Sequence, residues 1–221
     1  MLDSPDALLF AASLLSQLGF YLFWRLTLGA ASEKVRAWGL TLQISTLYSL
    51  LGLYWVARFN TALLSGTALQ LLAEETLFDR ACVVHMMSYL VCDLCIGLAD
   101  YRPQLRVDTT YVHHVAYFLL EAYVLFSGRA YCRYYLIFAV LEVPTAVMAL
   151  GACFPALRAD LLFGASFFAT RIAYEVYLMA ALVYVAAPMP LYLIGPPFVA
   201  SMAMHVQWFR LWLQPKKGRK E

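Results

Sequence analysis

The sequence predicts an all-α membrane protein, a polytopic bundle of about seven transmembrane helices. Hydrophobic residues make up 63% of the 221 residues. Charged residues make up only 14%, whereas soluble domains carry roughly 25%, and the mean hydropathy is +0.69. Apolar runs of about 20 residues, the length that crosses a bilayer, recur along nearly the whole chain. The simplest organisation is therefore one transmembrane domain over 1–213, followed by a basic cytoplasmic tail over 214–221.

The apolar runs divide into seven predicted spans. The first has no Lys or Arg before it and is longer than a signal-peptide core, so we expect a retained helix. Segment 60–74 is too short and too polar at its end to span, which predicts an interfacial or re-entrant piece. The seven spans are 7–28, 38–57, 81–99, 110–127, 133–151, 161–186 and 190–213.

Lys and Arg in the short loops predict the orientation, because positive loops stay on the cytoplasmic side. With the C-terminus cytoplasmic, that side carries nine such residues and the other side carries four. The nine are Lys34, Arg36, Arg102, Arg106, Arg158, Lys216, Lys217, Arg219 and Lys220; the four are Arg58, Arg80, Arg129 and Arg133. The tail QPKKGRKE serves as a stop-transfer flank, a contact for anionic lipid heads or a retrieval signal for the endoplasmic reticulum. The sequence thus predicts a lumenal or exoplasmic N-terminus and a cytoplasmic C-terminus.

Composition also limits the classes of partner and cofactor. A formal charge of +2 is too small to indicate nucleic acid. The five cysteines lie mostly within apolar runs, and the single CxxC of Cys92 and Cys95 lacks a partner pair. We therefore interpret the cysteines as small buried hydrophobes and predict no metal site and no bound cofactor.

Ionisable residues inside the spans are the main functional signal, because each costs roughly 2.5–3.5 kcal/mol on insertion scales and usually faces the bundle interior or a cavity. Depths follow from the alternating topology and a rise of about 1.5 Å per residue. Most of the groups fall in neighbouring layers of the predicted cytoplasmic half, as expected for a reaction centre or for a buried salt-bridge network. The intramembrane groups are His85, Asp93, His113, His114, Glu121, Glu142, Arg171, Glu175 and His205.

Helical spacing predicts how these groups face one another. His114 and Glu121 share a face, as do Arg171 and Glu175, so Glu175 is expected to neutralise Arg171. Adjacent His113 and His114 point about 100° apart, so at most one is expected to be the principal reactive group, with the other as its orienter or as a structural partner. An aspartate can hold and polarise such an imidazole as a general base.

Two of the intramembrane carboxylates have expected roles beside the paired histidines. Asp93 is expected to orient an imidazole. Glu142 precedes Pro144, whose missing N–H kinks a helix and frees a carbonyl. Glu142 is expected to bond there or to pair with Arg171.

An ordered set of sparse landmarks resembles the TLC domain family, which includes the ceramide synthases. The set covers about 170 residues. The landmarks are RAWGLTLQISTLY (36–48), SYLVCD (88–93), TYVHHVAYF (110–118), LEVPTAV (141–147), FFATRI (167–172) and MHVQWF (204–209).

The resemblance implies a catalytic centre of His113, His114 and Asp93, with Glu142 and Arg171 beside it. In ceramide synthases the corresponding histidines and carboxylates are needed to transfer an acyl group from acyl-CoA to a sphingoid amine. The resemblance thus makes acyl-CoA a candidate co-substrate.

The sequence departs from the family pattern at three places. Tyr48 stands where members often have histidine, and His205 stands where an asparagine or another polar residue is expected. The ceramide-synthase segment with a histidine and two aspartates is absent, and Glu142 with Val143 and Pro144 follows instead. The chain is most similar to the short TLC-domain proteins, and Glu142, Arg171, His205 and Tyr48 are its predicted substrate-binding residues.

Three functions are compatible with these residues. The first is a lipid acyltransferase of the endoplasmic reticulum, with an acyl chain held in a helix-bundle cavity. The second is a non-enzymatic lipid sensor, regulator of membrane composition or trafficking receptor that uses the same cavity. The third is a proton-linked transporter with the same groups as a relay, which the short loops and the lack of repeated discontinuous helices make the least favoured.

Overall fold

The computed structural model describes residues 5–28, 32–185 and 191–214. Regular structure within these ranges is entirely helical, which confirms the predicted all-α class. Residues 215–221 of the predicted basic tail lie outside them. The α-helices are α1 (Pro5–Thr27), α2 (Glu33–Leu64), α3 (Ala68–Ala73), α4 (Leu77–Asp100), α5 (His113–Phe126), α6 (Cys132–Leu136), α7 (Val143–Cys153), α8 (Asp160–Phe168), α9 (Glu175–Tyr184) and α10 (Leu191–Leu213).

Shorter helical turns join several of these helices. The 3-10 turns are Arg102–Gln104, Ala139–Glu142 and Pro155–Leu157, and the π-helical turns are Val107–Val112 and Ala169–Tyr174. The chain divides into two compact units, residues 1–158 and residues 159–221. The organisation into one transmembrane domain stays a prediction.

Five helical stretches are long and apolar enough to cross a membrane, and they coincide with five of the predicted spans. They are Pro5–Thr27, Glu33–Leu64, Leu77–Asp100, Cys132–Cys153 and Asp160–Tyr184. Predicted span 110–127 contains an α-helix of only 14 residues. Predicted span 190–213 contains α10, which is 23 residues long, carries Pro196 and Pro197 and is not among these five stretches. The number of about seven spans therefore stays a prediction.

Local sequence sets several helix boundaries in the first unit. Ser32 caps α2, where its side chain accepts a hydrogen bond from the Val35 N–H. Thr76 and Asp79 form a reciprocal capping box at the start of α4, which satisfies two backbone N–H groups that the helix leaves unpaired. Pro144 lies in the first turn of α7, which follows a 3-10 turn; proline fits the first turn of a helix but not its interior.

Helices of the first unit pack as α1 on α4, α2 on α7, and α4 on α5. α2 also lies against the 3-10 turn Ala139–Glu142. The core centres on fully buried side chains such as Tyr48, Phe59, Leu136 and Ile137. Large apolar residues such as Leu50 (64% exposed) cover the outer surface, as expected for helices that face lipid.

A set of ion pairs lies at one end of this unit, and we term it the Asp100 layer: Tyr21, Arg25, Arg36 and Asp100. The Asp100 carboxylate lies 3.1 Å from Arg36 Nε and 3.6 Å from Arg25 Nη2. It also accepts a hydrogen bond from the Tyr21 hydroxyl. This layer joins the end of α4 to the end of α1 and the start of α2.

A second set lies at the other end, the Asp79 layer: Asp6, Glu74, Glu75, Asp79, Arg80 and Arg133. Arg80 pairs with Asp6 and with Glu75, the latter at 2.8 Å. Arg133 pairs with Asp79 at 2.9 Å and with Glu74 at 2.8 Å. Since residues 79 and 100 are about 30 Å apart along α4, the two layers are separated by the thickness of a hydrocarbon core.

Candidate functional site

Asp93 and His114 form a buried carboxylate–imidazole pair between α4 and α5. The Asp93 Oδ2 and His114 Nε2 atoms are 3.7 Å apart, and both residues are 5% exposed. Asp93 is seven residues from Asp100, so it lies about 10 Å inside that layer. The structure thus brings together two of the three predicted catalytic residues.

Tyr101 holds the other oxygen of Asp93. Its hydroxyl donates a hydrogen bond to Asp93 Oδ1 at 2.6 Å. Burial and the neighbouring carboxylate raise the pKa of the Tyr101 hydroxyl above its ordinary value, so the group stays protonated and donates. Because one oxygen is fixed by tyrosine, the other is oriented toward His114.

Tyr101 was not predicted from the sequence, although a spacing signal is present. Asp93, Gly97 and Tyr101 are four residues apart, which places them on one face of α4 and its end. A Cβ at Gly97 would lie 2.9 Å from Tyr101 Cε2 and 2.7 Å from Leu105 Cδ2. Gly97 therefore leaves the space in which the Tyr101 ring folds back to Asp93.

The paired histidines have different surroundings, although their ring centroids are only 5.8 Å apart. His114 is buried, and the edge of its ring meets Tyr89 with a centroid distance of 5.7 Å. The half-buried ring of His113 lies against Tyr117 at 4.4 Å. The Tyr89 hydroxyl is 3.1 Å from the Thr41 hydroxyl. His114, and not His113, is the histidine in contact with Asp93.

An apolar pocket of about 160 Å³ adjoins His114. Its other lining residues are Leu90, Val91, Leu94, Val115, Phe118 and Leu119. Val115 is 53% exposed and Leu119 is 62% exposed, so the pocket opens on the outer, apolar surface between α4 and α5.

Glu121 lies two helical turns beyond His114 on α5 and is fully buried. Its Oε1 accepts a hydrogen bond from Tyr135 at 2.5 Å, and no residue in the described ranges hydrogen bonds to Oε2. His114 and Glu121 are both buried on α5, as their shared face predicts. They are about 10 Å apart along the helix.

Tyr48 and Glu142 lie near these groups. The Tyr48 hydroxyl donates to the Cys82 carbonyl, and the side chain is 1% exposed. Glu142 is half-buried and interacts electrostatically with Tyr89 and with Glu121. Glu142 is therefore within reach of the polar centre, whereas the hydroxyl of Tyr48 is committed to a backbone carbonyl.

The second unit contains a separate carboxylate–imidazole pair. Glu175 Oε2 lies 2.9 Å from His205 Nδ1, and each residue is 2% exposed. Ser201 donates to Glu175 Oε1 at 3.0 Å and lies 3.4 Å from the same His205 nitrogen. A Ser-His-Asp triad needs the serine and the carboxylate on opposite ring nitrogens, so this cluster is not a triad.

The expectation that Glu175 neutralises Arg171 is wrong. Glu175 pairs with His205 instead, and the Arg171 guanidinium lies 5.5 Å from the centre of the Phe167 ring. Arg171 belongs to the π-helical turn Ala169–Tyr174. The wider π-turn displaces residues that an α-helix would stack four positions apart.

The predicted roles of Arg171 and His205 in substrate binding stay predictions. Within the ranges that the structure describes, no three His, Cys, Asp or Glu side chains cluster as metal ligands.

Within the described ranges, fold and site together define a helical protein with five stretches long and apolar enough to cross a membrane and with buried carboxylate–imidazole pairs. Comparisons of the chain with protein-family models, curated proteins and solved structures found no match.

Proposed function

We propose that this protein is a TLC-type membrane protein of lipid metabolism or membrane-lipid homeostasis, located in the endoplasmic reticulum or a connected membrane. Its proposed activity is acyl transfer from acyl-CoA to an amine or hydroxyl of a lipid. The observation that supports this proposal is the Asp93–His114 pair beside an apolar pocket. A base and a slot for an acyl chain are two of the components that such a reaction requires; as the thioester C–S bond breaks, the proton taken by the base passes to the departing CoA thiolate.

His114 is the proposed general base. An imidazole in contact with a carboxylate can take a proton from the attacking amine or hydroxyl, and the carboxylate then stabilises the imidazolium. Because Nε2 faces Asp93, Nδ1 is the nitrogen left to accept that proton. Nδ1 is buried near the Leu90 backbone and makes no hydrogen bond of good geometry to any residue in the described part of the chain, so a substrate must displace its neighbours to reach it.

The neighbouring residues have supporting roles in this proposal. Tyr101 fixes Asp93 and so orients the imidazole indirectly. His113, on the adjacent face, is expected to orient the substrate, while Glu142 is expected to bind its polar end.

Lipid mass spectrometry of membranes that express variants tests the proposal. We expect a lipid class to accumulate with the wild type and to disappear with His114→Ala and with Asp93→Asn, at matched expression and thermal stability. His85→Ala is the matched control, because His85 lies on α4, hydrogen bonds to Gln17 and is absent from the pocket lining. A lipid composition that is the same for all four proteins would contradict acyl transfer.

The second candidate is a lipid sensor or regulator without turnover. It is favoured by the lining of the pocket, in which His114 is the single ionisable residue. Such a protein would retain the same co-purified lipid in the wild type, His114→Ala and Asp93→Asn, while the membrane lipid composition stays unchanged.

A further inference from the structure

A second and larger pocket lies at the opposite end of the first unit, beside the Asp79 layer. Its volume is about 450 Å³. Asp79 and Asp93 are 14 residues apart on α4, so this pocket is about 20 Å from the Asp93–His114 pair along the helix. The lining residues are Leu51, Tyr54, Trp55, Arg58, Thr76, Phe78, Asp79 and Arg133.

Residues of α2 form one wall of this pocket. Leu51, Tyr54, Trp55 and Arg58 recur at intervals of three and four residues, so they lie on one side of the helix. The Arg58 guanidinium is 6.0 Å from the centre of the Tyr54 ring. The wall thus carries aromatic residues and ends in a cation, a combination typical of the membrane–water interface.

Arg58 is the cation that the pocket leaves without a carboxylate. Its side chain is exposed and makes no ion pair with any residue in the described ranges. Arg133, in contrast, is 7% exposed at its side chain and pairs with Asp79 and Glu74. Arg58 therefore carries the uncompensated positive charge of the pocket, and an anion that enters the pocket would pair with Arg58.

The acidic lining residue presents almost no negative charge to such an anion. The Asp79 side chain is 1% exposed, and its Oδ2 is held by Arg133 Nε at 2.9 Å and by the Thr76 hydroxyl at 2.8 Å. These contacts satisfy the Asp79 carboxylate from within the protein, so Arg58 is the lining charge without an ion-pair partner among the described residues.

Trp55 supplies an independent sign that a ligand belongs here. The residue is 4% exposed, and its indole N–H has no hydrogen-bond acceptor among the described residues. Native structures rarely leave a buried donor unpaired, and an exception calls for a bound group or an ordered water. An acceptor oxygen of a bound group would satisfy this N–H.

We propose that this pocket binds the phosphate group of an anionic phospholipid, with Arg58 as the main charged contact. Phosphate oxygens accept the charge-assisted hydrogen bonds that a guanidinium donates. Tyr54 is 48% exposed and Phe78 is 60% exposed, so acyl chains can lie against the apolar outer surface beside the pocket. A headgroup at the Asp79 layer also lies at the depth where phosphates sit in a bilayer. This site is independent of the proposed acyl transfer.

Native mass spectrometry of the full chain, with phosphatidylglycerol or phosphatidylcholine added to the detergent-purified protein, tests the site. We expect preferential retention of phosphatidylglycerol by the wild type. Arg58→Gln should raise its apparent Kd about tenfold, since charged hydrogen bonds of this kind contribute at least that factor. Arg58→Lys should retain part of the affinity, and equal melting temperatures would show that each variant is folded.

Arg129→Gln is the matched control, because Arg129 is exposed at a loop that does not line the pocket. It should bind phosphatidylglycerol as the wild type does. Equal loss in Arg58→Gln and Arg129→Gln would mean general charge attraction and would overturn the site. Displacement of the lipid by millimolar inorganic phosphate would overturn its assignment to a lipid headgroup.

Discussion

Asp93 lies in an apolar layer, and each of its carboxylate oxygens contacts a different partner. Oδ1 accepts from Tyr101 at 2.6 Å, and Oδ2 faces His114 at 3.7 Å. A distance of 3.7 Å is longer than a hydrogen bond. Tyr101 therefore provides the stronger of the two contacts and fixes the carboxylate.

Replacing Tyr101 with Phe should destabilise the protein by about 1–3 kcal/mol, because Asp93 Oδ1 would remain buried without a donor. Unfolding by denaturant in mixed micelles measures this change. Tyr184→Phe is the control, since Tyr184 is 83% exposed, and it should change the free energy of unfolding by less than about 0.5 kcal/mol. Equal losses in the two variants would mean that the Tyr101 hydroxyl contributes nothing specific.

The residue types predicted that a polar centre is present, but they predicted only some of the pairs that its carboxylates and histidines form. That Asp93 would hold an imidazole follows from the chemistry of the two groups. Which histidine it holds depends on the rotation of α5 against α4, which no local spacing determines. The predicted pairing of Glu175 with Arg171 is wrong for a related reason, because the actual partner of Glu175, His205, is 30 residues away in the sequence.

At the scale of the helices, α2 depends on a close approach at Gly52. A Cβ there would lie 2.1 Å from Val140 N and 2.5 Å from Ala139 C, both backbone atoms of the 3-10 turn before α7. Backbone atoms cannot swing aside as a flexible side chain can. Small residues at such contacts let membrane helices pack closely.

Gly52→Ala should therefore lower the free energy of unfolding by about 1–3 kcal/mol, the usual cost of overpacking. Gly19→Ala provides the comparison, because a Cβ at Gly19 has no neighbour within 4 Å. Gly19→Ala, in the middle of α1, should leave the free energy of unfolding unchanged or raise it by up to about 1 kcal/mol. A stability of Gly52→Ala equal to that of Gly19→Ala would refute the close packing of α2 on the 3-10 turn.

Hydropathy located the long helices but not their irregular turns. The π-helical turn Val107–Val112 shortens the regular helix of predicted span 110–127 to His113–Phe126. The predicted interfacial segment 60–74 is divided between the end of α2 and the short helix α3. Neither change has a strong sequence signal, because both depend on packing of the helices rather than on apolar length.

At the scale of the whole molecule, the first unit has polar groups in its interior and apolar residues outside. Gln17 and Glu121 are fully buried, whereas Leu15 is 70% exposed and Leu22 is 57% exposed. This arrangement is the one expected when lipid surrounds the middle of the unit. The Asp100 and Asp79 layers then mark the two ends of this apolar zone. Their positions agree with the predicted loops, because charged residues are costly inside a bilayer.

If the two layers lie at opposite membrane surfaces, loops beyond them must be reached by water from opposite sides. Arg102 follows the Asp100 layer and Arg129 precedes the Asp79 layer residue Arg133, and both side chains are exposed. In sealed microsomes, a membrane-impermeant maleimide should label Arg102→Cys directly and Arg129→Cys only after permeabilisation, as the distribution of Lys and Arg predicts.

The native cysteines provide the control for this experiment. Cys95 is exposed on the protein surface, but it is five residues from Asp100 and thus about 7.5 Å inside that layer, where lipid excludes a charged reagent. The unmodified protein should remain unlabelled even after the vesicles are opened, provided that the detergent leaves the bilayer around α4 intact. Labelling of both new cysteines from one side would refute the separation of the layers. A reversed pattern would keep the two layers at opposite surfaces and invert only the orientation, because the assignment of each surface to cytoplasm or lumen depends on loop charge alone.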